Sequence, residues 1–249
     1  MNTYKDEIIG NLKEFYLQLS ERCGYETGAF SDLKYAWNRE GSWPAYIIGQ
    51  PDEGKLQDIV DKIDGHELPP FWIMEQDPPA KILSFLDSQN IRVIRNWKGM
   101  ILDPDSLPAT IEIPEDLEMH INKPKDLPAF ISMINRDLLS GSEMEDELSE
   151  TIKDSDDMDW IVAYESGRPV SAGLLFTYEG VAGLYMIVTA SERRGMGYGS
   201  AVTIALVDLA IKRGIRKMVL HATPMGEGIY AKYGFKPVMD MPILWKLGY

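Results

Sequence analysis

Arg193-Arg194-Gly195-Met196-Gly197-Tyr198-Gly199-Ser200 is the stretch on which the reading of this chain turns. It stands between an apolar run, Val181–Val188, and a helical pattern that puts Val202, Ala205, Leu206 and Leu209 on one face. Its alternating glycines let the backbone adopt positive φ and approach a ligand closely. The start of a helix offers unpaired N–H groups and a partial positive charge, and two arginines add charge-assisted bonds. The segment therefore reads as a pyrophosphate cradle. A glycine-rich turn with a packing role alone is the other reading of the same residues.

Two common nucleotide signatures do not fit. The dinucleotide fingerprint needs G-x-G-x-x-G after a first parallel strand and an acidic residue about 20 positions later. Here the spacing is G-x-G-x-G, the preceding strands read as antiparallel, and the next strand ends in His221. No Lys-Ser or Lys-Thr follows the glycines, so the ATPase phosphate loop is missing as well.

Upstream, turns at Ser166-Gly167-Arg168-Pro169 and Glu179-Gly180 separate Trp160–Tyr164, Val170–Phe176 and Val181–Val188. That pattern predicts three successive antiparallel strands. Downstream, Gly214 caps the helix in the left-handed region. A strand at Met218–Leu220, a short helix at Gly228–Tyr233 and one or two strands in Val238–Leu247 follow. Leu117–Ile121 reads as a strand and Pro124–Leu139 as a helix. The run Glu143–Asp159 carries nine acidic residues, a solvated face or loop, or a rim that attracts a cationic amine. Before residue 103 the pattern predicts a helix over 4–22, a strand at Tyr46–Ile48 and a helix carrying Leu56, Ile59, Val60 and Ile63. A strand at Phe71–Met74 comes next, then a helix opened by Pro78-Pro79, then strands at Ile91–Ile94 and Met100–Leu102. Pro104, Pro108 and Pro114 mark an extended connector, which places a boundary between domains of residues 1–108 and 111–249.

Arg194-Gly195-Met196-Gly197-Tyr198-Gly199 resembles the R/Q-x-x-G-x-G/A acyl-CoA signature of the GNAT superfamily of N-acetyltransferases. Tyr230-Ala231-Lys232-Tyr233-Gly234-Phe235 resembles the Y-x-x-x-G-F element of the same family, in the right order. The resemblance covers about residues 111–249. It implies an α+β fold, a mixed α/β sheet that is mainly antiparallel and flanked by helices. It also implies an enzyme that moves an acetyl group from acetyl-CoA, a co-substrate, to a primary amine of a small molecule or peptide by direct attack, without a metal. By the same resemblance, Arg193 and the amides of Arg194, Gly195, Met196, Gly197, Tyr198, Gly199 and Ser200 hold the CoA pyrophosphate. Ile187, Val188 and Thr189 pair with the pantetheine arm, and His221, Ala222 and Thr223 line the opposite side of the acyl group. Tyr230 is the candidate general acid, and the Val188 or Thr189 amide the candidate oxyanion donor. Family members often carry Val-x-Pro-x-x-Arg before the cradle; Thr189-Ala190-Ser191-Glu192-Arg193-Arg194 has no proline. Candidates for the base are Glu179, Glu227, His221 or a water chain. A non-catalytic acyl-CoA sensor or interaction module is the alternative in another class.

The element order over residues 46–102 repeats that over 184–247. Laid without gaps, Asn90-Ile91-Arg92 falls on Gly234-Phe235-Lys236, and Leu86 takes the place of Tyr230. Pro51, Asp52 and Glu53 then stand where the cradle would be, and carboxylates repel phosphate. The N-terminal part reads as a degenerate, partial GNAT-like copy that walls the substrate side; an unrelated α/β cap is the alternative. Trp37, Phe71, Trp72 and Trp97 read as core, with one or two lining the acceptor pocket. Lys212, Arg213, Arg216 and Lys217 flank the end of the cradle helix and read as solvated charges; a contact of one of them with the CoA 3′-phosphate is the other reading.

Composition bounds the partners. The 249 residues carry 25 Lys and Arg against 39 Asp and Glu, a net charge of −14, which argues against nucleic acid. A small-molecule or peptide amine is the expected partner, and a homodimer is allowed. The single cysteine, Cys23, excludes an intrachain disulfide, and His66, His120 and His221 lie too far apart to suggest zinc. No apolar run reaches the roughly 18 residues of a membrane span. Met1–Glu7 lacks the pattern of a signal peptide. A cytoplasmic protein with no membrane association is the expectation.

Overall fold

Ile8, Leu12, Phe15 and Leu19 recur at helical spacing and are at most 1% exposed, so the predicted first helix forms and buries one face, as α1 (Thr3–Arg22). The structure, a computed structural model, describes residues 3–41, 43–103, 105, 114, 116–139 and 146–249. After α1 come β1 (Glu26–Phe30), β2 (Leu33–Trp37), β3 (Ala45–Ile48), α2 (Leu56–Asp64), β4 (Phe71–Ile73), α3 (Ala80–Ser88) and β5 (Ile91–Leu102). Beyond the connector lie β6 (Leu117–Ile121) and α4 (Leu127–Met133), which a π-helical turn prolongs over Ile134–Leu139, and then α5 (Asp146–Lys153). The remainder is β7 (Met158–Glu165), β8 (Arg168–Tyr178), β9 (Val181–Thr189), α6 (Tyr198–Lys212), β10 (Lys217–Ala222), α7 (Pro224–Lys232) and β11 (Lys236–Lys246).

Among the described residues the strands make one eleven-stranded sheet in the order β1-β2-β3-β4-β11-β5-β10-β9-β8-β7-β6. Only β3–β4 and β9–β10 are parallel pairs; the rest of the sheet is antiparallel. The boundary expected between Asp103 and Pro114 lies mostly outside the described residues. The strands before and after it interleave: β11 sits between β4 and β5, and β5 between β11 and β10.

The β5–β11 ladder has an internal symmetry. Shifting by 144 residues turns the pair Arg92↔Trp245 into Lys236↔Ile101, Val93↔Leu244 into Pro237↔Met100, and Arg95↔Ile243 into Met239↔Gly99; each of these pairs is present. The two irregularities obey the same shift, leaving Ile94 out of register on β5 and Val238 on β11. Trp97↔Met241 maps onto itself and marks the pseudo-two-fold axis. The same shift carries Ala80–Ser88 onto Pro224–Lys232, the bounds of α3 and α7.

Several elements differ from their predicted form. β5 is one strand rather than two, because residues 92–96 extend past the end of β10 and are exposed there without leaving the ladder with β11. The helix expected over Pro124–Leu139 divides into a 3₁₀ turn, α4 and the π turn. The hairpin β1–β2 carries no clean alternation of apolar residues, so the pattern did not predict it. It closes where Gly28 leaves room for the Tyr35 ring, whose nearest atoms stand 2.6–2.7 Å from where a Cβ would be.

Helices cover both faces. α1, α4 and α5 pack on one, sharing a core with Phe176, Tyr185, Val219 and Ile243. α6 packs on the other with Leu175, Leu184 and Leu220, and α2 and α3 cover Ile47, Trp72 and Leu244 on that same side. Phe15 of α1 stacks on Tyr185 of β9 with centroids 3.9 Å apart, and Arg22 pairs with Asp157 at 2.6 Å. The first helix thus lies against strands from both parts of the chain.

Candidate active site

The site begins where two parallel strands part. β9 and β10 pair from Val181↔Lys217 to Leu184↔Leu220 and no further. Beyond that pair, β9 keeps its partner β8 on one side, but its other edge, Tyr185–Thr189, leaves the β10 ladder. A bulge sits at the same level. Ala172↔Val188 is followed by Leu174↔Tyr185, so Met186 and Ile187 oppose the single residue Gly173. Met186 takes φ +51, a strained conformation for a residue with a side chain. Gly173 is required there: a Cβ would stand 2.8 Å from Val202 Cγ1 and 3.0 Å from Leu206 Cδ1, so glycine lets α6 close on the bulge. The Ser171 hydroxyl donates to the Val188 carbonyl at 2.7 Å and fixes the strand end.

The cradle follows directly. Gly195 and Gly197 take φ +82 and +85, and Gly197 is the left-handed N-cap of α6. The helix's hydrogen bonds begin with Ala201 N–H to Gly197 O at 2.9 Å, so the amides of Tyr198, Gly199 and Ser200 are those that a helix start leaves without internal partners. Gly199 faces Thr189, with 2.8 Å between Thr189 Oγ1 and where a Cβ would be. The donor set and the close backbone approach fit a diphosphate.

The arginines are arranged otherwise than expected. Arg193 pairs with Glu165 of β7 at 3.0 Å, and Glu165 also accepts from the Tyr198 hydroxyl. Arg194 donates to the carbonyls of Thr189 and Asp137 at 3.4 and 3.3 Å. Asp137, held in the π turn, accepts from the Ser191 amide at 3.2 Å. The guanidinium groups therefore brace the loop, which leaves the backbone amides as its candidate anion donors. Lys212, Arg213, Arg216 and Lys217 pair with Asp208, Asp159, Asp105 and Glu7. They sit at the far end of α6, about 20 Å from the cradle along 15 residues of helix, which removes them from any phosphate held there.

Across the parting, His221, Ala222 and Thr223 end β10 and lead into α7. The Y-x-x-x-G-F segment has a plain physical account. Gly234 ends α7 at φ +88, the Gly234 and Phe235 amides bond back to Ala231 and Tyr230, and buried Phe235 meets the Tyr230 ring edge-on at 6.0 Å. Burial pushes the Tyr230 phenol up to about 12. Thr223 Oγ1 and the Tyr230 ring both lie beside Gly226, where a Cβ would be 2.9 Å from Tyr230 Cε2.

Of the candidate bases, Glu179 is eliminated: it occupies the turn before β9, about 27 Å along that strand from Thr189. Glu227 lies in the first turn of α7; the hydrogen bond of Asp240 to Lys98 at 2.5 Å holds that ammonium above its usual range, with Glu227 adding to it. His221 lies on the α1 face of the sheet between Tyr185 and Trp97. Burial pushes its imidazole down to about 4, opposed only by the nearby backbone of Ile8. Sequence reading missed Asn11, Tyr185 and the backbone of Met186, which come together here; single residues of those types in apolar runs carry no signal.

Residues 128–235 match the model of the acetyltransferase (GNAT) family. No curated protein matches the chain. Among solved structures, the chain is similar to a GCN5-related N-acetyltransferase from Kribbella flavida, with 17% identity, a TM-score of 0.70, and 97% of this chain and 96% of that one covered. It is also similar to a GCN5-related N-acetyltransferase from Sphaerobacter thermophilus, at 15% identity and a TM-score of 0.64, over 86% of this chain and 76% of that one. A GCN5-related N-acetyltransferase-like protein from Streptococcus suis gives 15% identity and a TM-score of 0.59, over 86% and 84%. At such identities the likeness is one of fold. The mostly antiparallel sheet between helical layers is the architecture the resemblance implied. No helix among the described residues is long and apolar enough to cross a membrane, and no group among them gathers three metal-ligating side chains.

Proposed function

We propose, from the match of residues 128–235 to the acetyltransferase (GNAT) family model, that the chain transfers an acetyl group from acetyl-CoA to a primary amine by direct attack. The observation that carries this reading is the continuity of the site. The free edge of β9 ends at Thr189, which lies against Gly199 in the amide-rich start of α6, so one extended ligand can pair with the strand and end its diphosphate on α6. Acetyl-CoA would supply the activated acyl group and a good leaving thiolate.

The chain's own residues divide the remaining work. The amide of Val188 or of Thr189, beside the bulge, is the donor we assign to the charge that builds on the carbonyl oxygen. Tyr230 stands on the α6 face, and we assign it to the leaving group. Full transfer of its proton, held at about 12, to a thiolate near 8.5 is uphill by about 5 kcal/mol. Tyr230 therefore acts as a hydrogen-bond donor that steadies the departing sulfur. Tyr230→Phe should lower kcat by about tenfold to a hundredfold while leaving acetyl-CoA affinity unchanged. An unchanged kcat removes this role.

Calorimetry with acetyl-CoA tests the whole reading, and absence of binding up to millimolar ligand ends it. Arg194→Glu combined with Gly197→Asp should abolish that binding. Thiol release across a panel of primary amines then separates an enzyme from a sensor, since a sensor binds acetyl-CoA and releases nothing.

A further inference from the structure

Three side-chain nitrogens beside the parting of β9 and β10 are buried without a well-formed hydrogen bond: Nδ1 and Nε2 of His221, whose ring is approached only by the backbone of Ile8, and Nε1 of Trp97. The two rings lie 6.2 Å apart, centroid to centroid. On the other side of His221, the Tyr185 ring lies 5.8 Å away at 27°. The Tyr185 hydroxyl is already engaged, donating to Asn11 Oδ1 at 2.7 Å, while Asn11 donates to the Val181 carbonyl at 3.1 Å. One half of this polar cluster is therefore satisfied, and the other half is not.

The register sets the direction. His221 pairs with Gly99 on β5, and Trp97, two residues along, projects to the same face, toward α1. Tyr230 packs on the opposite face with the α6 core. The parting of the strands thus has a proton-bearing phenol on one face and, on the other, an imidazole and an indole whose ring centroids lie 6.2 Å apart. Buried polar groups left unpaired are costly, and apolar side chains of similar shape would avoid that cost. A pair of them on one face of the sheet, one residue beyond the last β9–β10 pair, indicates a third partner.

We infer that His221 is the catalytic base: it takes the proton of the acceptor amine, directly or through one water, while the Trp97 N–H holds that nitrogen or water in place. This assignment rests on the acetyl-transfer reading above. In the step it describes, the amine lone pair forms the bond to the carbonyl carbon, the proton passes from nitrogen to imidazole, and the carbon–sulfur bond breaks with its electron pair on sulfur. The imidazolium then returns its proton to the thiolate, so that amine and thioester become amide and thiol. Burial keeps the imidazole neutral at neutral pH, so its lone pair is available. So weak a base takes the proton only as bond formation makes the nitrogen acidic, which ties His221 to the chemical step rather than to acceptor binding. Trp97 belongs to the N-terminal part of the chain, so that part helps to form the acceptor site.

The test uses the full chain, acetyl-CoA and an amine panel of propylamine, spermidine and lysine amide. For His221→Gln the expectation is a kcat lower by about a hundredfold to ten-thousandfold, with acetyl-CoA affinity retained by calorimetry. For Trp97→Phe it is a raised KM for the amine with a smaller change in kcat. Long-range ¹H–¹⁵N spectra of the three histidines add a readout free of turnover: the His221 resonances of the wild type should move when propylamine is added with CoA bound. Should His221→Gln not fold, that titration decides. Turnover by His221→Gln at the wild-type rate, or a His221 resonance that ignores the amine, overturns the assignment and leaves acetyl transfer standing. Acetyl-CoA binding without release on any amine overturns both.

Discussion

His221 links chemistry to stability, and the link can be measured without an acceptor. In the unfolded chain its imidazole titrates near 6.5, while in the fold burial holds it down to about 4. Between those values the unfolded state binds a proton that the native state refuses, so stability is intact above about pH 6.5 and falls as the pH drops toward 4. The span corresponds to about 3 kcal/mol. Urea unfolding of wild type and His221→Gln at pH 4.5 and 7 checks it: the variant should lose less stability on acidification, and equal slopes would refute the burial argument. Asn11, Trp97, Tyr185 and His221 were not legible as a group, because four residues that far apart share no pattern until the sheet brings them together. The glycine-rich start of α6 and the turn from Tyr230 to Phe235 were legible because each belongs to a contiguous segment whose glycines have only a few uses.

At the scale of elements, the glycines around α6 and α7 separate backbone need from mere tolerance. Gly197 takes φ +85, so Gly197→Ala should cost about 1–2 kcal/mol and weaken acetyl-CoA binding. Gly228 lies inside α7 with nothing within 4 Å of where a Cβ would stand, so Gly228→Ala should stabilise by about 0.5–1 kcal/mol. Denaturant midpoints of the two variants should move in opposite directions, and movement in the same direction would contradict the assigned conformations. Strands β7 to β9 were legible because both of their turns carry glycine and their apolar runs are long. The single span of β5 was not, since residues 92–96 are exposed beyond the reach of β10 and read as a break. The bulge at Met186 left no mark in the sequence: its cause is the tertiary approach of α6 to Gly173.

Across the whole molecule, the repeat of element order was visible in the sequence, but the exchange of strands was not, because nothing in an apolar pattern names its neighbour. β11 has β4 and β5 on its two sides, and both come from the N-terminal part. Residues 111–235, expressed without β11, should therefore neither fold nor bind acetyl-CoA, and residues 1–108 alone should expose the facing edges of β4 and β5 and aggregate. The intact chain should unfold in one cooperative transition by circular dichroism and calorimetry; two separated transitions would show halves that stand alone. The interleaving also bears on biosynthesis. A nascent chain emerging from the ribosome has made β4 and β5 long before residues 236–246 exist, so it must wait with a slot open in its sheet. Chaperone capture of stalled chains ending near residue 235, relieved once translation passes Lys246, would be the cellular signature of that delay.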